Sequence, residues 1–149
     1  MTSVLLRHAS AGDRHDFEHD DRRRTLDERG RRQSDELVEL LRPFGVRRIL
    51  SSPYVRCVQT VQPLAAALGV ELEEDARLAE GAGAAAAALV REDGVVCCTH
   101  GDIVEALLTQ FKANGVKVGK VRMEKGSVWA FETRNGRVTK ATYLPPVKG

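Results

Sequence analysis

The sequence predicts an α/β fold: a three-layer sandwich with a mostly parallel central sheet, helices on both faces and an antiparallel element near the carboxyl end. Three observations predict it. The short apolar runs Val4-Leu5-Leu6, Ile49-Leu50 and Val95-Val96-Cys97-Cys98 have the unbroken hydrophobicity of strands buried on both faces. Between and after them lie stretches whose apolar residues recur at helical spacing. Two β-rich runs then flank Asn135-Gly136, a dipeptide that accepts the positive φ angles of a hairpin turn.

Thr2 to Leu6 is the first strand. It stops at Arg7-His8, where small and turn-forming residues run to Gly12-Asp13. His15 to Thr25 is charged and without apolar period, and reads as a solvated loop that could rim a pocket. From Asp27 onward, Leu37, Val38, Leu40, Leu41 and Phe44 mark a helix that Pro43 and Gly45 end. Val46 to Leu50 reads as the second strand. Ser51-Ser52-Pro53 offers a hydroxyl cap and a proline suited to a first turn, so a helix is expected to begin there. Tyr54, Val58, Val61, Ala65 and Leu68 form its apolar stripe, and Gly69 closes it.

Val70-Glu71-Leu72 reads as a small strand, and the alanine-rich segment Gly81 to Leu89 as a short helix. Gly94 to Thr99 is a doubly buried strand. It leads through His100-Gly101-Asp102 into a helix carrying Ile103, Leu107 and Phe111, with Asn114-Gly115 as its stop. Ser127 to Phe131 and Arg137 to Leu144 complete the hairpin.

The chain has 149 residues, 42% hydrophobic and 30% charged, which fits one domain over 1–149 able to build a core without disulfide or metal staples. Its three cysteines are an odd number, and the neighbours Cys97 and Cys98 would point to opposite sides of a sheet, so no disulfide framework is expected. That usage suits a reducing cytoplasm. No apolar run approaches the roughly 20 residues of a membrane span, and Met1 to Val4 lacks the charged start of a secretion signal. A net charge of +2 does not by itself imply nucleic acid, and 5% aromatic residues leave little to stack bases on.

The chemistry gathers at three strand ends: Arg7-His8, Ser52 to Arg56, and Thr99-His100. In open α/β sheets the ligand crevice lies outside the carboxyl ends of the strands, so these segments are expected to converge. Arg56 would fall in the first turn of its helix, where unpaired N–H groups already favour an anion. Two arginines, two histidines and a helix N-terminus suit a multi-acceptor dianion such as phosphate. A neutral imidazole can attack phosphorus and later leave, dividing one hard displacement into two easier ones. Guanidinium groups would neutralise the equatorial oxygens, and neither a metal nor another cofactor is required by this arrangement.

Leu6-Arg7-His8-Ala9, Ser52 to Thr60 and Thr99-His100-Gly101-Asp102 resemble the three signature segments of the histidine phosphatase superfamily. The resemblance extends to Leu26 to Gln33, Lys125 to Trp129 and Tyr143 to Pro146, and is nearest to the small phosphohistidine phosphatases and to the phosphatase domain fused behind some Nudix hydrolases. It implies His8 as nucleophile, with Arg7, Arg56 and His100 gripping the phosphoryl group and Ser52, Thr99, Gly101 and Asp13 as further substrate contacts. Leu78-Ala79-Glu80-Gly81 is similar to the family's acidic segment, which makes Glu80 the candidate general acid, ahead of Asp13, Glu18 and Asp102. One departure is Ala9, where the family usually has glycine.

The expected function is therefore metal-independent hydrolysis of a phosphoryl group through a phosphohistidine on His8. The substrate would be a phosphohistidine protein or a phosphorylated small molecule, since so short a chain leaves little room for a lid. A mutase-like phosphoryl transferase and a non-catalytic anion-binding or nucleic-acid-binding module are the alternatives. His15 to Asp20 could hold a divalent ion, but lacks the His-Glu-x-x-His order of a zinc protease. Arg22-Arg23-Arg24 and Arg29-Gly30-Arg31-Arg32 read as an exposed loop and an outer helix face, and Cys57 as core packing.

Overall fold

A computed structural model of the chain describes residues 2–12 and 20–147. Its frame is one six-stranded sheet, formed by β1 (Thr2–Arg7), β2 (Arg48–Ser51), β3 (Leu72–Glu74), β4 (Val95–Thr99), β5 (Val128–Arg134) and β6 (Arg137–Leu144). The strand order is β3-β2-β4-β1-β5-β6. Strands β3, β2, β4 and β1 run parallel, and β5 and β6 add antiparallel on the far side of β1. The hairpin turns at Asn135-Gly136 with φ of 52° and 73°, the positive values that this dipeptide accepts.

Alternation along β1 and β4 builds two cores. Val4, Leu6, Val96 and Cys98 face α1 (Glu28–Leu41) and α2 (Val55–Leu68) through Leu37, Leu41, Val61 and Leu64. Leu5, Val95 and Cys97 face α3 (Gly101–Ala113) through Ile103, Leu107 and Phe111. Adjacent Cys97 and Cys98 thus enter different cores, and all three cysteines are free. Burial pushes the Cys97 thiol up to about 12, so it serves as a small hydrophobe.

Several boundaries differ from the sequence expectation. Ser52-Pro53 does not open α2; the helix starts at Val55, its cap residue Tyr54 makes no side-chain cap bond, and Ser52 is instead fully buried. The alanine-rich segment is a 3₁₀ helix, Ala85–Arg91, that packs Ala86, Ala87, Leu89 and Val90 onto the α3 side of the sheet. The small strand lies at Leu72–Glu74, where pairing with β2 decides the register. Arg22 and Arg23 are exposed as expected, but Arg24 is buried. Asp13, His15 and Glu18 lie outside the described residues. Among the described residues no helix is long and apolar enough to cross a membrane, and no group of three His, Cys, Asp or Glu side chains could hold a metal ion.

Candidate active site

The carboxyl ends of β1, β2 and β4 deliver their side chains to one cavity of about 610 Å³. The backbone of His8 is clamped from two sides: its N–H donates to Thr99 O at 2.9 Å, and its carbonyl accepts from Gly126 N at 2.9 Å. The loop beyond is fixed as firmly. Ala9 N donates to Thr60 Oγ1 at 3.0 Å, and Ser10 N to Gln33 Oε1 at 2.9 Å. Ala9 is itself buried with Ala11 and Leu26, so its methyl packs inward. Gly30 in α1 lies so close to this loop that a Cβ there would overlap Ser10 O.

The His8 ring has one assignable tautomer. Nδ1 lies 2.8 Å from Ala9 O, and a carbonyl can only accept, so Nδ1 carries the proton and Nε2 keeps its lone pair. Burial, chiefly, together with the charges of Arg56, His100 and Arg7, pulls the His8 pKa down to about 3 against the opposing pull of the Ala9 bond. The ring is neutral at pH 7.

Arg56, on the first turn of α2, is 1% exposed. Its Nη1 donates to Asp21 O at 2.8 Å, and its Nη2 lies 3.1 Å from Asp21 Oδ2 and 3.3 Å from Glu80 Oε2. Arg7 is anchored by Nη1 on Met123 O at 2.8 Å and passes across Gly101, where a Cβ would stand 3.0 Å from its guanidinium carbon. Glycine at the start of α3 thus leaves room for the Arg7 guanidinium to lie against the helix. His100 caps α3, and its Nε2 is 2.8 Å from Ser52 Oγ and 3.5 Å from Cys57 Sγ. Burial would push the Cys57 thiol up; hydrogen bonds to Cys98 and His100 and the charges of His100 and Arg56 outweigh it, leaving the group below the ordinary thiol range. The rings of His8 and His100 stand edge to face at 5.6 Å.

Among the described residues, three buried nitrogens at this site have no hydrogen-bond partner: Arg7 Nε, Arg56 Nε and His100 Nδ1. Buried polar atoms are nearly always paired, so three at one place point to a ligand rich in acceptors. Of the residues expected from the sequence, Arg7, His8, Arg56, Glu80, His100, Gly101 and Asp102 line the cavity. Ser52 and Thr99 stand one layer behind, because the Ser52 hydroxyl is engaged by His100 and Thr99 Oγ1 donates to Leu78 O at 2.6 Å. Asp13 lies outside the described residues. Sequence reasoning put Arg24 in an exposed loop and gave Lys125 no role at the site, yet both line the cavity.

The sequence model of the histidine phosphatase superfamily (branch 1) matches residues 3–86, more than half the chain and including Arg7, His8, Arg56 and Glu80. The chain belongs to the histidine phosphatase superfamily. A curated relative, the 8-oxo-(d)GTP phosphatase of Mycolicibacterium smegmatis (strain ATCC 700084 / mc(2)155), is 34% identical over 97% of this chain and 48% of its own length. The chain thus spans about half of that relative. Among solved structures, the protein histidine phosphatase SixA complexed with tungstate superposes with a TM-score of 0.77 at 17% identity, covering 99% of this chain and 97% of that one. A SixA structure from Agrobacterium tumefaciens gives a TM-score of 0.72 at 23% identity over 98% of both chains. These likenesses establish the histidine phosphatase fold, with its mixed sheet and antiparallel carboxyl-terminal strands.

Proposed function

We propose that this histidine phosphatase chain hydrolyses phosphoryl groups through a phosphohistidine on His8. The observation that carries the reading is the commitment of His8 Nδ1 to Ala9 O, which leaves a neutral Nε2 lone pair beside three unpartnered nitrogens. Nε2 attacks phosphorus, the bond to the leaving oxygen, or to the leaving imidazole nitrogen of a phosphohistidine, breaks, and that atom takes the electron pair. Arg7, Arg56 and His100 offset the charge on the equatorial oxygens. Water then attacks the phosphohistidine and gives up a proton, the N–P bond breaks with its pair returning to Nε2, and inorganic phosphate leaves a neutral His8. Charge neutralisation comes from protein cations, so this route needs no metal.

Glu80 is the proton donor in this reading, held near Arg56 at the pocket wall. For the substrate, the fold match to SixA supports phosphohistidine on a protein, and the 34% identical relative supports a phosphorylated nucleotide.

Turnover of p-nitrophenyl phosphate with and without EDTA tests the chemistry. Activity is expected to survive chelation, with His8→Ala losing at least 10³-fold and Arg56→Ala weakening both phosphate binding and turnover. An active His8→Ala protein would overturn the mechanism, and no turnover by the wild type would favour a binding module.

A further inference from the structure

Beside Arg7, Arg56 and His100, the cavity is lined by two further cations, Arg24 and Lys125. Arg24 lies in a charged run, yet only 6% of it is exposed. Its partners place it beside Arg56: Asp21 Oδ1 takes Arg24 Nε at 2.9 Å, while Asp21 Oδ2 takes Arg56 Nη2 at 3.1 Å. One carboxylate therefore spaces two guanidinium groups, while Glu80 meets Arg56 from its other side at 3.3 Å. Arg24 Nη1 also donates to Gly12 O, which holds the side chain against the pocket wall near Ala11. Lys125 reaches the same cavity from the turn before β5, next to Gly126, whose N–H clamps the His8 carbonyl. Partial desolvation and the charges of Arg7 and Arg24, outweighing Asp27, hold the Lys125 ammonium below the usual lysine range, so it sits in the field of the other cations. A cavity of about 610 Å³ has room for far more than one phosphoryl group.

We propose that Arg24 and Lys125 form a second anion subsite beside the His8 position, which makes this pocket selective for substrates with two adjacent phosphoryl groups. The assignment rests on the His8 phosphohydrolase reading above. The terminal phosphoryl group lies over His8 and the next one against Arg24 and Lys125, as far from the first as one shared carboxylate sets the two arginines. His8 Nε2 forms its bond to the terminal phosphorus, the P–O bond to the bridging oxygen breaks, and the electron pair leaves on the inner phosphate. Water then releases inorganic phosphate and a proton. A monoester or a protein phosphohistidine gives Arg24 and Lys125 no charge to meet. The inner phosphate is also a good leaving group, so cations that stabilise it act on the bond-breaking step itself.

The test compares kcat/KM for inorganic pyrophosphate, ADP and AMP in the wild type, Lys125→Gln, Arg24→Gln and Arg24→Lys, with thermal midpoints measured alongside. The wild type is expected to prefer a diphosphate over AMP at least tenfold, and the better of pyrophosphate and ADP identifies the source of the diphosphate. In Lys125→Gln and Arg24→Gln the diphosphate-to-AMP ratio is expected to fall at least tenfold, mainly through KM, with partial recovery in Arg24→Lys. Lys125 is exposed, so its variant tests the subsite even if Arg24→Gln fails to fold. A wild-type preference for AMP, or a ratio in Lys125→Gln within twofold of wild type, overturns the subsite. Absence of both turnover and a phosphoenzyme on every substrate overturns the His8 reading itself, a different result.

Discussion

Thr60 ties the nucleophile loop to Ala9: its hydroxyl accepts the Ala9 N–H at 3.0 Å and donates to Arg56 O at 2.7 Å. One buried hydroxyl thus sets the distance between the segment carrying His8 and the helix carrying Arg56. Thr60→Val removes both bonds at nearly constant volume and leaves a buried N–H unpaired, at a cost of about 1–3 kcal/mol. The loosened alignment is expected to lower kcat roughly tenfold or more. Thr60→Ser keeps the hydroxyl and should retain most activity. Chemical denaturation and steady-state kinetics on both variants check this; a Thr60→Val enzyme with wild-type kcat would show that the loop is held elsewhere.

The depressed pKa of His8 makes a signed prediction. Its folded-state value of about 3 lies well below the ordinary 6.5, so between these the unfolded chain binds the extra proton. Stability contributed by the neutral ring is complete above pH 6.5 and is lost as the pH falls toward 3. Relative to His8→Asn, the wild type should therefore lose on the order of a few kcal/mol over that window. Ring NMR resonances of His8 should stay unchanged from pH 8 to 5. A titration of His8 centred near 6.5 would contradict the buried, arginine-flanked environment described above.

Gly30 offers a sharper sign test. Alanine is normally favoured over glycine in a helix by about 1 kcal/mol. At Gly30 the added Cβ would overlap Ser10 O, two residues past His8, so Gly30→Ala is expected to destabilise by roughly 1–3 kcal/mol. Activity should fall with it, because the loop must shift. Thermal melting decides the sign directly.

The parts of the site legible in the sequence are those that strand ends position. Arg7, His8, Arg56 and His100 follow from where apolar runs stop and helices start, a local pattern. What was not legible depends on partners far away in the chain. Ser52 looks like a cap because it precedes a helix, but His100, 48 positions on, takes its hydroxyl. Arg24 sits in a charged run that reads as solvated, but among the described residues the shared Asp21 carboxylate and the Gly12 carbonyl hold it in the wall of the cavity. The alanine-rich segment gave composition without period, and packing against the sheet made it 3₁₀. Lys125 marks no strand end or helix start, although its segment carries the family resemblance; the Gly126 clamp on β1 brings it in.

Glu80 is where leaving-group chemistry can be separated from electrostatics. Its carboxylate lies 3.3 Å from Arg56 Nη2, a distance at which it can both orient the guanidinium and face a departing oxygen in the cavity. Glu80→Gln keeps the shape and an acceptor for Arg56 but cannot deliver a proton. An alkyl phosphate, whose alkoxide leaves poorly, should then slow about 10²-fold or more. A phosphohistidine peptide, with imidazole as a better leaving group, should slow far less. Parallel kinetics on the two substrates distinguish the roles. Equal slowing assigns Glu80 to positioning Arg56, whereas a large alkyl-selective loss assigns it the proton.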